Sequence, residues 1–242
     1  MVENYVIPLC ITMLIVIAGV LFCTWKWKNA SEEKKLLPVK IVFWTLIVLE
    51  ALKIFYLIAQ RGKYEPSRYP IVFCSMVMFA YPLFCFKKNR FSEVAKAFSV
   101  IPSFLVFILF VAIQWQFKMS LIQGHSYVYH GAMLFVGVYL LTSGLYKFDF
   151  KGFYPLFLAL SGYVAFSTVM SLFLGGDISY FGPKSSYLGF LYKMFGYIVG
   201  NLLLCLVFFG LCIGVYALLS LCGKKKTAPA VNEETKEETE NV

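Results

Sequence analysis

The sequence predicts an all-α, polytopic membrane protein with about seven transmembrane helices in one bundle, and three observations carry that reading. Sixty per cent of its 242 residues are hydrophobic and only 14% are charged, where a soluble domain carries about a quarter. The apolar residues fall in runs of about 20, the length that crosses a bilayer core. Backbone groups in lipid must be bonded within the span, which leaves helices or a closed barrel. Runs such as FLVFILFVAI, 104–113, lack the alternation of period two that a barrel strand needs.

Taken in order, the first span is expected at 5–24. No basic stretch precedes it, no small-residue cleavage site follows, and it exceeds a signal-peptide core, so it reads as a retained span. The second, 39–60, carries Glu50 and Lys53 within its apolar run. The third, 69–86, opens at Tyr69-Pro70, where proline suits a first helical turn because its missing N–H would be unpaired there. The fourth is 95–117; Pro82 and Pro102 are expected to kink the third and fourth. The fifth, 126–146, follows GHSYVYHG, which holds both histidines of the chain. The sixth is 152–174. The seventh, 196–221, contains the GxxxG patterns GYIVG and GLCIG, which let another helix approach within the bundle or in a homo-oligomer. One transmembrane domain, 1–222, thus precedes a charged tail, 223–242, whose lack of apolar periodicity predicts disorder.

Orientation follows from lysine and arginine near the span ends. Fourteen of them fall on the side holding Lys26, Lys35, Lys96 and Lys224, and six on the side holding Arg61, Lys118 and Lys184. The basic side is expected to be cytoplasmic, which puts the N-terminus outside and the C-terminus inside a multi-pass plasma-membrane protein. The net charge of +9 is then mostly topological, its partners are membrane lipids, and no nucleic acid is implied.

The chain has seven cysteines, an odd number, with no CxxC spacing or disulfide framework. Six read as small packing residues in apolar runs. Cys74 differs. It lies five residues into the third span, about 7 Å deep at 1.5 Å per residue. His130 lies about as deep in the fifth, which enters from the same side. A thiol near a helix N-terminus is biased toward thiolate, and an imidazole can take its proton and return it to a leaving alcohol. By the same spacing His130 sits near a helix N-terminus, which disfavours imidazolium. Asp177, in the loop GGDISYF, is the best placed outer acid to orient the base.

His125 is five residues from His130, about 500° around a helix, so the two are expected on different faces without a joint metal site. A hydrogen bond to a neighbouring helix suits it better. Glu50 and Lys53, at i and i+3, can neutralise each other on one face or meet a lipid head group; fixing helix packing is an equal reading.

The stretch YPIVFCSMVMFAYPLF, then HSYVYHG and a GGDISYF loop, resembles the YwaF-type integral membrane proteins. Those are similar to eukaryotic transmembrane acyltransferases of ether phospholipids and, more distantly, to the androgen-induced threonine/histidine membrane hydrolases. The pattern is Pro-Leu-His-Leu-Cys opening one helix and His-Gly opening a later one. Pro70 and Cys74 match the first, with Val72 in place of its histidine, and His130 and Gly131 match the second. Gly176, Asp177 and Tyr180 stand in the family's loop element. The resemblance implies a catalytic pair of Cys74 and His130 in lipid metabolism, as an acyltransferase or hydrolase of the outer leaflet, with no cofactor. The alternative is a binding or transport protein, like the substrate-capturing subunit of a vitamin transporter, in which Glu50 and Lys53 hold the ligand.

Overall fold

A computed structural model describes residues 6–61, 72–86, 91–113, 120–148, 152–174 and 189–224. Among them there are eight helices and no strand: α1 Val6–Lys26, α2 Glu32–Lys35, α3 Leu37–Arg61, α4 Phe73–Cys85, α5 Ser92–Ile113, α6 Leu121–Thr142, α7 Phe153–Leu174 and α8 Gly189–Lys224. The protein is all-α and polytopic. The seven long helices follow the seven apolar runs, and α2 is an additional short turn of EEKK between the first two.

Four of the helices, in α1, α3, α7 and α8, are long and apolar enough by length and composition to cross a membrane. α4 is apolar but has only 13 residues. α6 is diluted by its own polar residues, and packing explains why it tolerates them. It meets α1, α3, α4 and α5, and Tyr127, Tyr129, Met133, Leu134, Val136, Tyr139 and Leu140 are all buried. A helix enclosed by neighbours is shielded from lipid, so tyrosine and histidine have protein partners there. α1 and α8 lie at the periphery and expose Leu14, Ile15, Leu21, Ile198, Leu202 and Leu206, as lipid-facing helices should.

At one end of the bundle the basic residues are tied down. Lys96 is buried and reaches Glu93 at 2.8 Å, the Leu145 carbonyl at 3.0 Å and Glu32 at 3.6 Å. Lys35 donates to the Ser143 carbonyl at 3.3 Å, and the Tyr139 hydroxyl donates to the Lys35 carbonyl at 3.0 Å. These bonds join α2, the start of α5 and the end of α6, where Gly144 at φ 73 turns the chain out of the helix. Lysine near a helix C-terminus also complements the partial negative charge there.

Two glycine patterns in α8 behave differently from their sequence reading. Gly196 has φ 74 and ψ 167, a non-helical conformation that interrupts α8. Its hydrogen side chain serves a backbone break within GYIVG. A Cβ built on Gly210 or Gly214 meets nothing within 4 Å, so the glycine face of GLCIG is open among the described residues, while Cys212 between them is buried in the core. Pro82 and Pro102 lie inside α4 and α5. The tail residues 225–242 and Pro70 lie outside the described residues.

Candidate functional site

The polar side chains singled out in the sequence meet around one cavity of about 160 Å³ between α3, α4 and α6. α3 supplies Glu50 and Lys53, α4 supplies Cys74 and Ser75 just after Val72, and α6 supplies His125, Ser126, Tyr129 and His130. Asp177 lies outside the described residues. Among the described residues no group of three or more His, Cys, Asp or Glu side chains is placed to hold a metal ion.

Cys74 is positioned by the start of α4. Val72 is extended at φ −65 and ψ 153 and caps the helix, its carbonyl accepting from Met76 N–H at 2.9 Å. Cys74 is therefore the second residue of α4 and sits in its first turn, nearer the helix start than the five-residue depth expected from Tyr69-Pro70. The N–H groups of a first turn have no partner within the helix, and their summed dipole favours a thiolate.

His130 departs further from expectation. α6 begins at Leu121, where the Ser120 hydroxyl accepts from Gln123 N–H at 3.2 Å. The capping serine starts the helix one and a half turns before the expected 126. His130 is then its tenth residue, beyond the first turn within which a helix dipole acts, so the proposed suppression of imidazolium by a nearby N-terminus does not apply. A local bond replaces it. His130 Nδ1 lies 2.8 Å from the Ser126 carbonyl, and a carbonyl oxygen only accepts, so Nδ1 carries the ring proton. In the neutral ring Nε2 is then the basic nitrogen, held by a backbone group in the role a triad acid usually fills.

His125 also borders the cavity, correcting the expectation that the two histidines face apart. Residues 140° apart around a helix can flank one concavity, and Tyr129 fills the angle between them. Its ring stacks on His125 at 5.5 Å and meets His130 edge-on at 6.0 Å, while its hydroxyl donates to Met78 Sδ at 3.9 Å. His125 Nε2 is buried with no hydrogen-bond partner among the described residues. Ser126 and Tyr129 were not singled out in the sequence. The i−4 spacing of Ser126 from His130 was a usable signal; Tyr129 was one of sixteen tyrosines and had none.

Glu50 and Lys53 form an ion pair of 2.5 Å, and Glu50 is only 4% exposed. Both sit on α3, as the i,i+3 spacing predicts, so the pair itself joins no second helix.

Gly131 follows His130 for a steric reason. A Cβ there would come within 2.6 Å of Thr12 Cγ2 on α1. Gly131→Ala is expected to cost about 1–3 kcal/mol of stability, read as a lower detergent melting temperature. Thr12→Ser removes the opposing methyl and keeps the hydroxyl that donates to the Pro8 carbonyl, so the double variant should regain most of the loss. No recovery would place the strain elsewhere.

The model of the TMEM164 family matches residues 2–213 of the chain. No curated protein and no solved structure matches it.

Proposed function

The chain belongs to the TMEM164 family, and from that premise we propose that it is a membrane-embedded lipid acyltransferase or hydrolase using Cys74 and His130. The observation that carries the reading is the convergence of a helix-start thiol and a tautomer-fixed imidazole on one cavity. The resemblance to YwaF-type proteins and the eukaryotic ether-phospholipid acyltransferases supports the same pair.

In this scheme His130 Nε2 takes the Cys74 proton, and the thiolate attacks the ester carbonyl of a phospholipid. The tetrahedral intermediate collapses with cleavage of the ester C–O bond, and His130 returns the proton to the departing lysolipid oxygen. An acyl thioester remains on Cys74. A lysolipid alcohol or water then gives its proton to His130 and attacks the thioester, and the released thiolate recovers that proton. Each half-reaction balances with no cofactor. Vesicles containing a phospholipid with a labelled acyl chain and an unlabelled lysolipid test the scheme. Transfer or release of the chain, with a hydroxylamine-sensitive acyl group on Cys74, supports it; absence of both overturns it.

The same reading places the cavity in the outer half of a plasma membrane, with the N-terminus outside and the C-terminus cytoplasmic. It rests on the fourteen-to-six distribution of basic residues. Single cysteines introduced into 61–68, 118–120 and 175–188 should react with an impermeant thiol reagent applied to intact cells. Labelling only after permeabilisation reverses the orientation.

A further inference from the structure

The Glu50–Lys53 pair is an unusual expense in a membrane helix. Two charges have left water, and their bond stays within one helix, so tertiary structure gains nothing from it. Glu50 is nine-tenths buried, lines the cavity, and its Oε2 has no hydrogen-bond partner among the described residues. Among the described residues, Lys53 and Glu50 are the lysine and carboxylate that line the cavity with Cys74. A cation beside a thiolate stabilises it and an anion does the reverse, and both effects are enlarged where water is scarce.

We propose that Lys53 is a positioning residue for the reaction, placing a positive charge beside Cys74 that favours the thiolate formed as His130 takes its proton, and that Glu50 tethers Lys53 at the cavity and tempers its field. This rests on the acyl-transfer reading and adds two residues to it. Lys53 supplies the positive charge that compensates the thiolate while His130 moves the proton. The arrangement is asymmetric in a testable way, because the two partners of one ion pair should act on Cys74 with opposite sign. The other titratable groups facing the thiol are His125, Tyr129 and His130, all from α6. They are unchanged in the variants that test the pair.

The experiment follows the rate at which N-ethylmaleimide, a small uncharged probe without a head group, labels Cys74 between pH 6 and 10. The full-length protein is used in detergent, with the other six cysteines replaced by serine or alanine. Lys53→Met should shift the pH profile upward by about one unit, a loss of about tenfold in rate near neutrality. Lys53→Arg should restore most of it. Glu50→Gln should shift the profile downward and speed labelling severalfold. Misfolding would open the site and change labelling in the same direction in both variants, so opposite shifts exclude it. If Lys53→Met lowers acyl transfer but leaves the labelling profile in place, Lys53 is a head-group contact and the inference is overturned, while the reading it rests on stands. If Glu50→Gln and Lys53→Met shift the profile the same way, the inference is also overturned. If Cys74 in the parent protein is inert, or its labelling ignores His130→Ala, both readings fall together.

Discussion

Cys74→Ser should lower acyl transfer by about a thousandfold or more, the scale seen when a covalent nucleophile is removed from an enzyme that retains its base and binding groups. Serine preserves the shape of the site, so loss of fold is not the expected cause. The hydroxyl is far less ionised than a thiol near neutral pH, and the acyl group should no longer be trapped as a hydroxylamine-sensitive thioester. The remaining cysteines provide an internal comparison. Cys10 is exposed at the bundle surface, Cys23 and Cys205 are partly exposed, and Cys85 and Cys212 are buried. If access alone set reactivity, Cys10 would react with a lipid-like acyl phosphonate before the half-buried Cys74. If thiolate character sets it, Cys74 should react first. Equal labelling of all of them, together with unchanged activity in Cys74→Ser, would return Cys74 to the packing residues and leave transport as the stronger reading.

The fold was legible in the sequence because lipid imposes a one-dimensional rule: spans are counted from apolar length, and every long helix follows one of the predicted runs. The ends of those helices were less legible. Hydropathy marks where a chain can face lipid, whereas the start of α6 is set by the Ser120 cap, six residues before the expected 126. Polar residues within a helix therefore looked like its flank. That error moved His130 to a helix terminus and suggested a dipole effect, when the observed local contact is with the Ser126 carbonyl one turn away, which fixes its tautomer. Much of the cavity lining was legible for a related reason. Cys74, Glu50, Lys53 and the two histidines each stand out against an apolar background, and a bundle leaves such groups few places to go but a shared interior. Angular arithmetic on an isolated helix missed that His125 and His130 border the same space, because a cavity subtends a wider arc than a single contact. In GYIVG, spacing alone cannot tell a glycine that admits a neighbour from one that breaks a helix; the positive φ of Gly196 marks the break.

His130→Ala provides the second large effect and a signature that separates a base from a structural histidine. Removing a general base costs about a hundredfold to ten-thousandfold in rate, and both half-reactions of the proposed scheme pass a proton through His130 Nε2. For thiol labelling the loss should be greatest near neutral pH. It should shrink as pH rises past the ordinary thiol range of about 8.5, because hydroxide then removes the Cys74 proton without help. The sign is fixed by the chemistry: alkali substitutes for the missing acceptor in thiol labelling, but it does not supply the proton that the leaving lysolipid needs. Maleimide labelling of Cys74 in His130→Ala should therefore recover at high pH while acyl transfer stays low. A histidine that only fills space between α6 and its neighbours would give another pattern, in which labelling and transfer fall together at every pH in proportion to lost protein. Imidazole added to the alanine variant extends the test. Partial rescue of labelling at pH 7 requires only a proton acceptor that fits the space the ring left, and failure of every acceptor to help, with the cavity shown open to maleimide, would remove His130 from the proton path.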